Sequence, residues 1–242
     1  MCGRFVATSS PQSLAERFDA LVDDDVVRAH APDYNVTPRA AVPVVRMAHG
    51  GSTAERVVEQ LRWGLVPAWA DDPRVGDRLI NARAETVATS GAFAGAFQRR
   101  RCLVVADGFY EWRRTGAPGP VLLHRPGGEP LAFAGLWEAW WDRTLPTGGE
   151  PLLTCTIVTT AANADVAGIH DRMPVVLDDD SWPVWLDDDA DPRHVETLLA
   201  PARPGTLVHH PVSTLVNSPA NNSPALVEPV DRLEVVPLTL FE

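Results

Sequence analysis

The chain has 242 residues and a formal net charge of −11, and 45% of its residues are hydrophobic. This charge argues against a nucleic-acid-binding protein coated in positive charge, although the basic clusters at 99–101 and 113–114 leave a local basic face possible. No stretch approaches the roughly 20 apolar residues of a membrane span, and three widely spaced cysteines suggest neither a disulfide framework nor a CxxC metal pair. We therefore expect no membrane contact and a reducing, cytoplasmic location.

Taken in chain order, turn residues and capping signals divide the chain into short elements. Helices are predicted where apolar residues have helical spacing, at 11–21, 91–101, 182–185 after an Asp180 cap, and 193–199. Strands are predicted for apolar runs bounded by turns, at 44–47, 57–65, 103–112, 121–124, 131–137, 152–160, 175–177, 207–212 and 233–238. With no internal repeat and no clear linker, the elements predict a single domain over 1–242. It should be α+β, with a curved, mostly antiparallel, barrel-like sheet flanked by short helices.

The second residue, Cys2, has distinctive chemistry if Met1 is removed, which a small second residue permits. Cys2 would then carry both a free α-amine and a thiol, with ordinary pKa values of about 7.7–8.0 and about 8.5. Such a 1,2-aminothiol can attack an acyl carbon with its own amine as base. It can also condense with an aldehyde to an imine, which the thiol closes into a thiazolidine ring. The alternative is that a cysteine at this position is chance.

Two further segments carry polar side chains in settings that suit chemistry. Asn81 and Arg83 are two residues apart and share a face of an extended segment, although a solvated loop would explain them equally well. Glu111 lies between two aromatic residues in an apolar run, where burial would favour its neutral form and suit general acid–base catalysis. The alternative is an edge strand with Glu111 facing water. Cys102 and Cys155 lie in apolar runs and predict buried strand positions.

Histidine and tryptophan supply the remaining candidates. His170 could titrate near neutrality under the influence of Asp171 or Arg172, although a lone histidine is more often structural. Trp63 and Trp69 could both be core residues, whereas an exposed one would form a stacking platform for an unpaired base. No phosphate-binding glycine loop, HExxH, GxSxG or zinc-deaminase pattern occurs. We therefore expect no metal and no cofactor.

Taken together and in order, these segments resemble the SRAP family (SOS response-associated peptidase), a family of abasic-site-crosslinking proteins. The resemblance runs through 1–5, 34–38, 63–69, 81–86, 101–102, 107–112, 169–174, 210–213 and 216–217. Each motif alone is weak, but the ordered set is highly specific and covers nearly the full chain. It implies binding of single-stranded DNA at abasic sites, typically near single-strand/double-strand junctions. It also implies a thiazolidine crosslink between the N-terminal cysteine and the ring-opened deoxyribose, which shields the lesion.

Carried over motif by motif, the resemblance also implies roles for individual residues. Catalytic roles fall on Cys2 as nucleophile, Asn81 as a positioning group, Glu111 as proton shuttle, and His170 in sugar-ring opening and crosslink reversal. DNA-binding roles fall on Arg4, Arg83 and Arg172, which would hold phosphates, and on Asn35, Pro38 and Trp63, which would line the strand path. The peptidase activity described for the family would here remove only Met1. We expect a monomer.

Two other functions remain open on the sequence alone. An N-terminal cysteine is also how glutamine amidotransferases and other N-terminal-nucleophile hydrolases begin, so glutamine or peptide turnover is one alternative. The other is a non-catalytic module that binds single strands, with a fortuitous Cys2. That module would bind intact and abasic DNA alike and would form no covalent adduct.

Overall fold

The computed structural model describes residues 2–48, 55–114, 118–144 and 149–230. Thirteen strands are found there: β1 (Phe5–Ala7), β2 (Ala20–Val22), β3 (Asp33–Val36), β4 (Ala41–Met47), β5 (Arg56–Trp63), β6 (Asn81–Arg83), β7 (Arg101–Ala106), β8 (Gly108–Arg113), β9 (Gly119–His124), β10 (Leu131–Trp140), β11 (Leu152–Ala161), β12 (Arg172–Pro174) and β13 (Val208–Pro211). The α-helices are α1 (Pro11–Phe18), α2 (Asp24–Ala29), α3 (Ala94–Arg99), α4 (Trp182–Leu186) and α5 (Pro192–Thr197). Short 3-10 helices cover Pro73–Arg78, Asp179–Ser181, Thr214–Asn217 and Pro224–Leu226.

The strands form two sheets, and the larger one closes on itself. Five strands are ordered β13-β9-β8-β1-β3, with antiparallel neighbours throughout. The eight-stranded sheet is ordered β12-β11-β10-β7-β4-β5-β2, and β6 pairs with β11. A parallel pairing of β11 with β5 completes a ring of β5, β4, β7, β10 and β11. The predicted α+β fold with a barrel-like sheet is therefore confirmed.

The two larger apolar clusters lie against the sheets. One cluster joins both sheets, and in it Phe5 meets Trp63 edge-on at 5.0 Å between ring centroids. Phe109 meets Phe133 in the same way at 5.8 Å. The second cluster packs α1, α3 and α4 against the eight-stranded sheet. Within the part of the chain that the structure describes, no helix is long and apolar enough to cross a membrane.

Several predicted boundaries were wrong for local reasons. α1 starts at Pro11, with the Ser10 side chain accepting the Ser13 N–H, but it ends at Phe18 because Asp19 adopts a left-handed conformation with φ 48°. Leu21 therefore lies in β2. Asp180 lies inside a 3-10 helix, and it is Ser181 that precedes α4, without a side-chain cap.

Two predicted strands also differ. The run 103–112 is split at Asp107, whose carboxylate accepts the N–H groups of Thr8 at 2.5 Å and Ser9 at 2.9 Å and so fixes the chain that follows β1. The run 175–177 forms only an isolated bridge between Val176 and Phe133, while the strand is β12. The predicted strand 233–238 lies outside the described residues.

Candidate active site

Cys2 lies beneath the surface at the start of β1. Its side chain is fully buried, and its sulfur lies 4.0 Å from the carbonyl oxygen of Arg4. Burial raises the pKa of the Cys2 thiol well above its usual range, and the carboxylate of Glu111 raises this pKa further. The thiol is therefore protonated at neutral pH in the chain that still carries Met1.

Glu111 lies near this thiol because β1 runs antiparallel to β8. Phe5 pairs with Phe109, and the Tyr110 N–H donates to the Arg4 carbonyl at 2.9 Å, so the chain before Arg4 continues alongside Glu111. Side chains alternate along a strand, which places Glu111 on the same face as the core residue Phe109. β8 lies between β1 and β9, and Glu111 is only 4% exposed. The alternative of an edge-strand glutamate facing water is thus excluded.

Asn81 holds Cys2 from the other sheet. It begins β6, where its neighbour Ala82 is buried and Asn81 and Arg83 share the opposite face, as predicted. Its Nδ2 donates to the Cys2 carbonyl oxygen at 2.8 Å. Since a carbonyl can only accept, this bond fixes the orientation of the amide. The Oδ1 atom is buried and has no hydrogen-bond partner among the described residues.

His170 lies just before β12 and is held by its own neighbours. Its Nδ1 accepts the backbone N–H of Arg172 at 2.9 Å. A neutral His170 therefore carries its ring proton on Nε2. Asp171 Oδ1 also lies 2.9 Å from Nδ1. The ring of His170 is thus held in place by the two residues that follow it.

An open pocket of about 570 Å³ lies beside these residues and is lined by Arg83, Glu85, Thr86, Arg114, His170, Asp171 and Arg172. Two strands carry both a neighbour of Cys2 and a pocket residue. β6 carries Asn81 and the pocket residue Arg83, and β8 carries Glu111 and leads to the pocket residue Arg114. Arg83 and Arg114 are exposed. The pocket therefore combines three arginines with a histidine, and it borders the ends of β6 and β8, the strands that carry Asn81 and Glu111. Among the described residues, no group of three or more His, Cys, Asp or Glu side chains is placed to hold a metal ion.

Arg4 and Asn35 form a structural clamp, which corrects the predicted strand-path contact of Asn35 and leaves the phosphate contact of Arg4 a prediction. Arg4 Nη1 donates to Asn35 Oδ1 at 2.7 Å and to the Val216 carbonyl at 2.9 Å. Asn35 is 3% exposed, and its Nδ2 donates to the carbonyls of Ser218 at 3.0 Å and Asn221 at 2.8 Å. Asn35 therefore fixes the loop after β13 and does not line a surface path. Pro38 is half-buried in the turn before β4, and its predicted contact stays a prediction.

The two tryptophans of the 63–69 segment have opposite environments. Trp63 is fully buried, and its Nε1 donates to the Ile80 carbonyl at 2.9 Å, so it cannot line the path of a DNA strand. Trp69 is 59% exposed and is anchored by its Nε1 to the Gly91 carbonyl at 3.3 Å. The stacking platform that the sequence allowed is therefore available at Trp69 and not at Trp63.

Three residues of the site were absent from the predicted set, although sequence signals for each were present. Trp69 closes the 63–69 motif, Glu85 lies inside the 81–86 motif, and Arg114 belongs to the basic pair at 113–114. The sequence pattern could not say which member of each group is exposed, as Trp69 is, or lines the pocket, as Glu85 and Arg114 do.

The chain is similar in sequence to a known family and to named relatives over most of its length. The sequence profile of the family described as SOS response associated peptidase (SRAP) matches residues 1–219. The chain belongs to the SRAP family. Abasic site processing protein YoqW of Bacillus subtilis (strain 168) is 39% identical over 234 residues, covering 94% of this chain and 99% of the relative. Abasic site processing protein HMCES of Gallus gallus is 36% identical over 231 residues, covering 84% of this chain and 67% of the relative.

Solved structures also share the SRAP architecture seen here. An X-ray structure of a Bacteroides thetaiotaomicron protein superposes with a TM-score of 0.83 at 23% identity, covering 95% of this chain and all (100%) of the other. A Bordetella bronchiseptica protein superposes with a TM-score of 0.70 at 26% identity, covering 87% of this chain and 99% of the other. The fold that positions Cys2 is therefore common to these proteins.

Proposed function

We propose that this SRAP protein processes abasic sites in DNA by forming a covalent crosslink through Cys2. The observation that carries the proposal is the convergence of Asn81 and Glu111 on Cys2 from two different sheets. The names of the relatives support the substrate, since both YoqW and HMCES are called abasic site processing proteins. The partner is single-stranded DNA that contains an abasic site, including sites near single-strand/double-strand junctions. The protein acts as a monomer in the cytoplasm, associated with the nucleoid.

Removal of Met1 prepares the reaction. In the chain with Met1, the Cys2 nitrogen is a peptide nitrogen and cannot form an imine. Removing Met1 converts it into an amine and takes away the residue that precedes the buried thiol. The only peptidase activity that the proposal needs is this removal, which ordinary methionine trimming also provides.

The covalent steps release one water. The Cys2 amine adds to the C1′ aldehyde of the ring-opened sugar, and loss of water leaves an imine. The thiol then adds to the imine carbon, its proton ends on the nitrogen, and a thiazolidine ring closes. Ring closure is fast because the thiol and the imine belong to the same residue. Opening of this ring followed by hydrolysis would reverse the crosslink.

The neighbouring side chains divide the proton transfers. Asn81 holds the Cys2 carbonyl, and its Oδ1 is the acceptor best placed to orient the new amine. Glu111 takes the thiol proton and delivers protons during the loss of water, a role that its charge effect on the Cys2 thiol supports. His170 lines the pocket and assists opening of the sugar ring and crosslink reversal.

Phosphates and bases are held around this centre by different residues. Arg83, Arg114 and Arg172 contact phosphates in the pocket, so binding should weaken as salt is raised even though the chain is acidic overall. The pocket residues Glu85 and Thr86 open a turn segment that continues to Gly91, and Trp69 is hydrogen-bonded to the Gly91 carbonyl. It therefore offers a stacking surface for a base that flanks the lesion.

Replacing Trp69 with alanine should weaken binding to single-stranded DNA by about 5-fold to 150-fold, because one base–aromatic stack contributes roughly 1–3 kcal/mol. Fluorescence anisotropy with a labelled oligonucleotide measures the effect. Trp69→Phe should retain most of the affinity. Trp141 is exposed to a similar degree, 54%, and Trp141→Ala serves as the matched control with a change below about twofold. Equal losses for both alanine variants would contradict the assignment of Trp69.

The proposed function is tested with Met1-trimmed protein and an oligonucleotide that carries one abasic site. A band that resists denaturation, absent with Cys2→Ala and with an intact oligonucleotide, is the expected result. If protein with a verified N-terminal cysteine forms no such band, crosslinking is not its function. Turnover of glutamine or of a peptide by the same preparation would then identify an N-terminal-nucleophile hydrolase.

A further inference from the structure

The most confined cation in the pocket, Arg172, already holds an anion. Its Nη1 donates to Glu85 Oε1 at 2.5 Å and its Nη2 to Glu85 Oε2 at 3.0 Å. The same Nη2 donates to the Thr159 carbonyl at 2.6 Å, which fixes the guanidinium against β11. The two Nη atoms of Arg172 are thus taken by one carboxylate and one carbonyl, while its buried Nε has no hydrogen-bond partner among the described residues.

The partners of this pair differ in how readily they can move. The Arg172 side chain is 17% exposed, whereas that of Glu85 is 53% exposed and lies in the loop after β6. The hydrogen bonds from Arg172 lower the pKa of Glu85, so the carboxylate is charged at neutral pH. Glu85 can therefore swing into solvent while Arg172 stays in place, anchored by Thr159.

A phosphodiester offers the same two-oxygen face as this carboxylate. Arginine binds both groups through two parallel N–H···O bonds, so a carboxylate and a phosphate compete for the same edge of the guanidinium. Arg83 and Arg114 line the same pocket and would contact the adjoining phosphates. Glu85 thus occupies the position on Arg172 that a DNA phosphate would take.

We propose that Glu85 is an internal competitor for the phosphate site of Arg172 and sets how long the protein stays on undamaged single-stranded DNA. The inference rests on the proposed function. Every strand must displace Glu85, which weakens all non-covalent complexes by the same factor and shortens their lifetime. The covalent product at an abasic site is released only by chemical reversal of the crosslink, so its lifetime does not depend on this contact. Weak binding elsewhere therefore makes the protein accumulate at lesions.

A double-mutant cycle with Glu85→Gln and Arg172→Gln tests the competition. Affinity for an intact single-stranded oligonucleotide is measured by anisotropy on Met1-trimmed protein, with thermal unfolding as a check of folding. Glu85→Gln should tighten binding by about threefold to tenfold, because glutamine releases the charge-assisted pair. In the Arg172→Gln background the same change should have no more effect than Glu16→Gln, which removes one exposed charge on α1.

Several outcomes would overturn the proposal, and one would overturn the proposed function beneath it. Weaker binding by a folded Glu85→Gln protein would mean that Glu85 only props Arg172 in position. An effect equal to that of Glu16→Gln, or one that persists without Arg172, would mean that only total charge matters. If the wild-type protein crosslinks abasic DNA but Glu85→Gln does not tighten binding, the competition alone is refuted. If the wild-type protein forms no adduct, the proposed function itself is refuted.

Discussion

Replacing Glu111 with glutamine should slow adduct formation on abasic DNA by a factor of about 100 to 10,000, the usual contribution of a positioned general acid–base group. Glutamine has the same shape and keeps the packing of β8, but it cannot take the thiol proton or return one when water leaves. Glu111 is 4% exposed, so bulk water has little access to replace it. DNA affinity should change much less than the rate, because Glu111 lies beneath the pocket and not among the residues that line it.

The rate is measured under single-turnover conditions, with protein in excess over a labelled oligonucleotide and denaturing gels at successive times. Glu138→Gln supplies the matched control. Glu138 on β10 is also a buried glutamate, at 8% exposure, but it pairs with Arg100 and is not among the groups that shift the pKa of Cys2. Its folded protein should react within about twofold of the wild-type rate. A folded Glu111→Gln protein that reacts within about threefold of wild type would rule out proton transfer by Glu111.

Replacing Trp63 with alanine should lower the free energy of unfolding by about 3–5 kcal/mol, the range for truncating a fully buried tryptophan. The change removes the edge-on contact with Phe5 and the hydrogen bond to the Ile80 carbonyl. Urea denaturation measures the loss. The more conservative Trp63→Phe should stay folded and bind single-stranded DNA within about twofold of wild type, since the ring lies in the core. Normal stability together with lost DNA binding would instead place Trp63 on the strand path.

Much of the candidate active site around Cys2 could be predicted, because the environment of each of these residues depends mainly on its own short motif. Asn81 and Arg83 needed only an extended segment to share a face, and β6 provides it. The aromatic, apolar context of Glu111 predicted a buried carboxylate, which the central position of β8 confirms. The buried strand positions of Cys102 and Cys155 were also predicted correctly.

The errors arose where burial depends on contacts between distant segments. Asn35 is buried by carbonyls of the loop at 216–221, which are more than 180 residues away in sequence. Trp63 and Trp69 lie in one motif, but β5 ends at Trp63 and Gly64 turns the chain out of the sheet with φ 122°. The segment between the two tryptophans therefore has neither strand nor helix periodicity. No local pattern could show which tryptophan faces inward. The pairing of Glu85 with Arg172 likewise depends on β11, whose Thr159 pairs with Arg83 of β6 on one edge and with Pro174 of β12 on the other.

The mass and position of the adduct test the central claim most directly. Met1-trimmed protein is reacted with an abasic oligonucleotide, and the product is analysed intact and after proteolysis. The account predicts the sum of the protein and DNA masses less one water, with the modification on the peptide that begins at Cys2 and no adduct from Cys2→Ser. A modification on a lysine, or an adduct that survives loss of the Cys2 thiol, would contradict thiazolidine formation at Cys2.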